Sequence, residues 1–170
     1  TFSAALELGA TRSAIECVTI ARNLRIDALE HTFHEDAIAA GSAEGEFGAE
    51  LILLHRIAKV LGARRGKDEN EVDRVDYNFD IVDGRILITI RKRGNPIDTE
   101  VSELMIFVNR EWGKLLADNG VAGIYRAQQN MKTRMTTDAL PHEGLGVAQY
   151  AWSSSPLRRY VDLVNQWQII

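Results

Sequence analysis

Tyr150-Ala-Trp-Ser-Ser-Ser-Pro-Leu-Arg-Arg-Tyr-Val-Asp-Leu-Val-Asn165 is the stretch on which the reading of this chain turns. Serine before proline is a helix-start signal. Ser155 can accept a backbone N–H at the N-cap, and Pro156 loses nothing at the first helical position because its missing donor would be unpaired there. The helix predicted from that point carries Leu157, Tyr160, Val161, Val164 and Trp167 on one side. Arg158, Asp162 and Asn165 fall together on another, at spacings of four and three.

A helix start of this kind suits an anion. Free N–H groups and the helix dipole favour phosphate, and Ser153 to Ser155 add hydroxyl donors. Arg158 adds a planar fork of donors matched to a phosphodiester, with Asp162 one turn away to orient it. A plain N-cap followed by a solvated Arg-Asp face fits the same pattern, and helix geometry leaves both readings open. Just upstream, Pro141-His-Glu-Gly-Leu-Gly-Val147 sets two glycines beside His142, and glycine permits close approach of backbone to a ligand. The loop lacks the lysine and the glycine spacing of a phosphate-binding loop.

Working outward, Asp83-Gly84 lies between Tyr77, Phe79, Ile81 and Ile86, Ile88, Ile90, two alternating runs, which is a hairpin signal. Residues 49–65 give a helix with Leu51, Leu54, His55, Ala58 and Leu61 inward and Arg64 and Arg65 at its C-terminus. Asp98 to Gly120 gives a longer one, with Val101, Leu104, Met105, Val108, Trp112, Leu115 and Leu116 as its apolar stripe. A short helix is expected to begin near Thr32, where Glu35 completes capping-box spacing. Strands are expected over Phe2 to Leu8 and Ile15 to Ile20, and Val121 to Tyr125 reads as extended. Gln128 to Thr137 is polar and basic without periodicity. This order points to an α+β fold, a mixed or antiparallel sheet packed against long helices, rather than a βαβ series.

With 170 residues the chain is the length of one domain. Its single cysteine, Cys17, excludes an internal disulfide and reads as structural. No run approaches the length needed to cross a bilayer and there is no secretory pattern, so no membrane partner is expected and the cytoplasm is the default compartment. A net charge of −4 argues against a wholly basic coat but leaves room for a local basic channel. The opening on Thr1 and the close on Trp167-Gln-Ile-Ile170 suggest a piece of a longer protein.

Gly144-Leu-Gly-Val147, Tyr150, Ser154-Ser-Pro-Leu-Arg-Arg-Tyr160, Asp162 and Asn165 resemble the closing motif of the catalytic (RNB) domain of the ribonuclease II and ribonuclease R exoribonucleases. Glu103-Leu-Met-Ile106 with Asn109, Gly123-Ile-Tyr-Arg126 and Asp76-Tyr-Asn-Phe79 fit the same order. The likeness is specific over residues 141 to 165 and looser over the rest, so residues 1–170 read as a partial exoribonuclease catalytic domain. The resemblance implies hydrolysis of single-stranded RNA from its 3′ end to nucleoside 5′-monophosphates, with Mg²⁺ or Mn²⁺ held by clustered aspartates that activate water. Arg158 matches the family's catalytic arginine, which helps hold the scissile phosphate. Arg159, Tyr160 and Asp162 match its neighbours, Ser155-Pro156 the helix entrance, and Phe33 a tyrosine near the terminal nucleotides. His142 and Tyr150, beside the glycine loop, join them as candidate RNA contacts.

Two departures stand out. Gln166-Trp167 occupies the place of a usual His-Arg pair, and no Asp-x-Asp-Asp cluster is present. The resemblance puts those metal ligands ahead of Thr1 in the complete protein, so this segment by itself is expected to be inactive. The alternative is a non-catalytic RNA-binding module that keeps the groove without the metal site; an anion-binding metabolic domain would rest on the helix start only. Among other residues, His31 and His34 with Asp36 are a weak metal pair, and His55 reads as a satisfied core histidine. Arg91-Lys-Arg93, Arg126, Lys132 and Arg134 are candidate phosphate contacts. Tyr125, Tyr150 and Trp152 are candidate stacking platforms, two or more of them read as core.

Overall fold

The computed structural model describes residue 9 and residues 11–42, 45–66, 75–92 and 95–170. Among the described residues five helices and two hairpins follow in order: α1 (Ile26–Leu29), α2 (Glu35–Ala40), α3 (Gly48–Arg64), β1 (Val75–Val82), β2 (Arg85–Lys92), α4 (Pro96–Asp118), β3 (Tyr125–Gln129), β4 (Lys132–Thr136) and α5 (Tyr160–Ile169), with a 3-10 turn at Glu143–Leu145. The expected α+β composition is met. Instead of one sheet on long helices, the described residues form two separate two-stranded antiparallel sheets.

The β1–β2 turn is Asp83-Gly84, both with positive φ, as a two-residue hairpin loop of this hand requires. Tyr77 faces Ile90, Phe79 faces Ile88 and Ile81 faces Ile86, so all six large apolar side chains share one face of the ribbon. That face is exposed, with Phe79 at 68% and Ile81 at 80%. The second hairpin falls mostly where no periodicity was visible: Gln128 to Thr137 holds the end of β3 and all of β4, turned by Asn130 and Met131 at φ 48° and 64°. The far edge of β3 is covered by single bridges, Tyr125 to Ala151 and Gln128 to His142.

α3 and α4 pack together, as the element contacts show. On α3 the buried residues are Gly48, His55, Ala58, Leu61 and Gly62, close to the stripe expected from periodicity. On α4 the buried face is rotated from the one expected. Ile97, Glu100, Glu103, Ile106, Asn109, Gly113 and Leu116 face inward, while Val101 and Leu115 stay exposed. The reason is pairing. Arg65 makes a two-pronged ion pair with the Glu103 carboxylate and donates to the Leu145 carbonyl, joining α3, α4 and the glycine loop. Arg65 is therefore not a solvated C-terminal cation.

Several N-terminal expectations shift. α2 is capped by His34, whose Nδ1 accepts the Ala37 N–H at 3.3 Å, rather than by Thr32. Residues 11–25 contain no strand, and Cys17 is exposed rather than packed. The strand expected over Phe2 to Leu8 lies outside the described residues.

Candidate nucleic-acid interface

The helix expected at Ser155-Pro156 starts later. Residues 156–158 form a turn, Arg159 is the extended N-cap residue, and α5 begins at Tyr160. Ser155 acts through its backbone: its carbonyl accepts the N–H groups of Arg158 and Arg159. No side chain caps α5 in the usual way, because the third helical residue, Asp162, reaches back across the turn. Its Oδ1 accepts the Ser155 N–H at 2.7 Å, and its two oxygens take the Arg159 guanidinium at 2.7 and 2.8 Å. Asp162 is fully buried. Its partner is thus Arg159, not Arg158.

The consequence is a separation of roles between neighbouring arginines. Arg159 is folded back, 4.4 Å from the centre of the Trp152 ring, and Arg126 lies 5.1 Å from the same centre. Trp152 is therefore already engaged by two cations rather than free to stack a base. Arg158 is exposed and, among the described residues, its side chain has no hydrogen bond or ion pair. Leu157 and Tyr160 on either side are exposed as well, Tyr160 at 72%. The turn presents one apolar, one cationic and one aromatic side chain to solvent, a set that matches a phosphodiester with a neighbouring base.

Polar side chains hold the segment behind that turn. Asn109 on α4 accepts the Ser153 N–H at 2.8 Å and donates to the Tyr150 hydroxyl and Ser154 Oγ at 3.1 and 3.2 Å. Asn165 on α5 accepts the Ile124 N–H at 2.8 Å and donates to the carbonyls of Ile124 and Trp152. Gln166, standing where a family His was expected near RNA, instead donates to the Ser153 carbonyl at 2.6 Å. Asn109, Asn165 and Asp162 have no exposed surface. Their spacing gave no hint of this work, since an asparagine in an amphipathic helix reads as surface until a partner backbone is placed beside it.

The remaining candidates lie deeper. Tyr150 is buried in a cluster with Ile106 and Val147, flanked by Leu145 and Trp152. His142 is buried with both ring nitrogens unpaired, 5.7 Å from Tyr150 edge-to-face. Burial first, and then the Arg126 charge, hold its pKa below the usual histidine value, so it is neutral near pH 7. Phe33 is buried elsewhere, 6.2 Å edge-on to His55 of α3, and no contact among the described residues joins it to the 155–160 turn. The glycine loop serves the fold: a Cβ on Gly146, whose φ is +63°, would sit 2.4 Å from the Arg65 carbonyl oxygen. Its close approach is to protein backbone, not to a ligand.

Of the basic candidates, Lys132 and Arg134 line an open depression of about 430 Å³ with Gln128, Asn130, Pro141 and Glu143. Arg93 falls outside the described residues, as do the side chains of Arg91 and Lys92. Among the described residues no group of three or more His, Cys, Asp or Glu side chains could hold a metal ion. The described residues therefore do not fit a divalent-metal centre, and His34 has its Nδ1 committed to capping α2. Among the described residues no helix is long and apolar enough to cross a membrane.

Residues 130–170 match the family described as RNB domain, the span that holds the turn, Asp162 and the second hairpin's last strand. The class read from the motif is therefore supported over that span, where the chain is similar to the RNB domain. Over 165 aligned residues it is 27% identical to the mitochondrial exoribonuclease II of Saccharomyces cerevisiae, covering 71% of this chain and 17% of that protein. Its fold is similar to a crystal structure of an active-site mutant of the Dss1 exoribonuclease from Candida glabrata, with a TM-score of 0.65 at 21% identity over 82% of this chain and 24% of that one. It is also similar to Mycoplasma genitalium RNase R in complex with ribose-methylated single-stranded RNA, with a TM-score of 0.63 at 15% identity over 78% of this chain and 30% of that one. The chain thus spans about a sixth of the curated relative and about a quarter of the first of these structures.

Proposed function

We propose that the chain is the phosphate-holding part of a 3′-to-5′ exoribonuclease catalytic domain that, in the complete protein, hydrolyses single-stranded RNA to nucleoside 5′-monophosphates. The observation that carries the reading is Arg158: exposed, its side chain unpaired among the described residues, and mounted on a turn that Asp162 closes through the Ser155 N–H and the Arg159 guanidinium. An arginine held this way contributes fixed donors to the charge that builds on a transferring phosphoryl group. Arg159, Tyr160, Asp162 and Ser155 shape or flank that position, with His142 and Tyr150 behind it. Phe33 would need another approach of RNA to its face of α3.

The divalent ions of the reaction, Mg²⁺ or Mn²⁺, would be bound by carboxylates of the complete protein outside this chain; bound there, they would supply an activated water. Lys132 and Arg134 offer the RNA backbone further positive charge. The cytoplasm remains the proposed compartment; the yeast relative's name places that protein in mitochondria, and imaging the tagged complete protein separates the two.

The test is Arg158→Ala in the complete protein, assayed by single-turnover release of mononucleotides from single-stranded RNA with Mg²⁺. The chemical step is expected to fall by about 10²–10³-fold, the scale of losing one fixed charge-stabilising donor. RNA affinity should change far less. Equal losses in rate and affinity, or none, overturn the catalytic role. Salt-dependent RNA binding with no cleavage by the wild-type protein would favour the non-catalytic RNA-binding module instead.

A further inference from the structure

We infer that Asp162 is a positioning residue for Arg158, acting through the Ser155–Arg159 turn rather than by touching RNA; this rests on the proposed role of Arg158. Asp162 has no exposed surface, so a nucleic acid cannot reach it without unfolding the turn. Both carboxylate oxygens are consumed within the protein: Oδ1 binds the Ser155 N–H and one Arg159 nitrogen, and Oδ2 binds the Arg159 Nε. These bonds join the two ends of the five-residue segment 155–159. The Ser155 carbonyl closes it from the other direction by accepting the Arg158 and Arg159 N–H groups at 3.2 and 3.1 Å. Arg158 sits between the two closures and is the residue of the pair that Asp162 leaves free.

The placement extends into the body of the protein. Arg159, fixed by Asp162, lies over Trp152, and the Trp152 carbonyl accepts from Asn165, one turn beyond Asp162 on α5. The backbone before the turn is held from α4 by Asn109. The guanidinium of Arg158 is therefore carried on a frame with two helices as its base, and Asp162 is the one side chain that closes the frame on the turn itself. A carboxylate is the right group here. It accepts a backbone N–H and a bidentate guanidinium together, bonds stronger than those between neutral groups. An amide in its place keeps one acceptor and turns the other against Arg159.

The experiment uses the complete protein and four forms: wild type, Asp162→Asn, Arg158→Ala and the double variant. Each is read by single-turnover mononucleotide release and by RNA binding in Ca²⁺ without turnover, with thermal melting to confirm folding. Asp162→Asn is expected to slow the chemical step at least 10-fold with RNA affinity within about 3-fold of wild type, the split of an interaction that matters in the transition state. In the Arg158→Ala background the same substitution should add little, because the group it positions is gone. A full, additive loss in that background, or a loss of affinity matching the loss of rate, overturns the inference and leaves Asp162 as a general fold residue. Unchanged single-turnover rates in Asp162→Asn overturn it as well. If Asp162→Asn does not fold, Arg159→Lys, which loosens the same closure and keeps the charge, is read on the same cycle with the same criteria. Failure of the wild type to cleave RNA, by contrast, removes the proposed function itself and is seen before any variant is compared.

Discussion

α3 and α5 are amphipathic by the same rules and are oriented by opposite ones. In α3 the predicted inward residues His55, Ala58 and Leu61 are buried. In α5 the predicted apolar side leaves Tyr160 and Trp167 exposed at 72% and 59% and Val161 and Val164 only half-buried, while Asp162 and Asn165 are the buried residues. The difference lies in what each helix meets. α3 packs on α4 along side chains, where burying apolar surface decides the rotation. α5 meets irregular backbone at Ile124 and at Trp152 to Ser155, whose N–H and C=O groups need partners. An unsatisfied buried amide costs more than an exposed tyrosine, so the polar face turns inward. α4 shows both rules along one buried face: Ile106 and Leu116 pack, while Glu103 and Asn109 pair.

The contrast can be broken most directly in α3. Leu61→Ala should destabilise the chain by about 2–5 kcal/mol, the range for emptying a buried leucine site, read as a shift in the denaturant midpoint. A loss below 1 kcal/mol would mean that apolar packing does not orient this helix.

The polar exception inside the α3–α4 interface gives the next effect. Glu100 and His55 are both buried, with His55 Nδ1 and Glu100 Oε1 3.8 Å apart and neither of those two atoms hydrogen-bonded. Burial pushes the Glu100 carboxyl from 4.5 up to about 7 and pushes His55 down, His55 against the partly opposing charge of Glu35. Both groups thus favour their neutral forms, so the contact is not a strong ion pair at neutral pH. A carboxyl whose folded pKa is raised costs nothing below its unfolded value, and stability falls as pH rises from about 4.5 to about 7. His55 works in the opposite sense, losing stability as pH falls below its ordinary value. Glu100→Gln should therefore stabilise the protein progressively above pH 4.5 and level off above pH 7, by at most about 3 kcal/mol at 1.4 kcal/mol per pKa unit. A melting difference that is flat between pH 5 and 8 would refute it.

Asn165→Leu tests α5 from the polar side. It adds apolar bulk to a buried position yet should cost about 1–3 kcal/mol, because the Ile124 and Trp152 backbone groups lose their partners. Hydrogen exchange at the Ile124 amide should accelerate in the same variant. If leucine stabilises the helix, backbone pairing is not what orients α5. The smallest effect belongs to the apolar outer side: Trp167→Ser should leave stability within about 0.5 kcal/mol of wild type. A large loss there would show that this face is covered.

Local chemistry was legible in the sequence wherever it was self-contained. The Asp83-Gly84 hairpin and the extents of α3 and α4 could be read without a partner in view. The β3–β4 hairpin was not, because its Asn130-Met131 turn carries no glycine and β4 no buried apolar alternation. The motif identified Arg158, but sequence spacing assigned Asp162 to it. At four residues apart on a continuous helix those two would be neighbours. The chain breaks the helix at Arg159 instead, and the partner three residues away takes the carboxylate.

By itself, then, the sequence determined the first hairpin and the extents of α3 and α4, and its motif singled out Arg158, since propensity, turn chemistry and a motif are properties of neighbouring residues. The tertiary structure decided which sides of α4 and α5 face inward, which arginine is held and which is left free. Those choices depend on backbone groups far along the chain, at Ile124 and Ser153, whose need for hydrogen bonds becomes a force only once the fold has brought them to the helix.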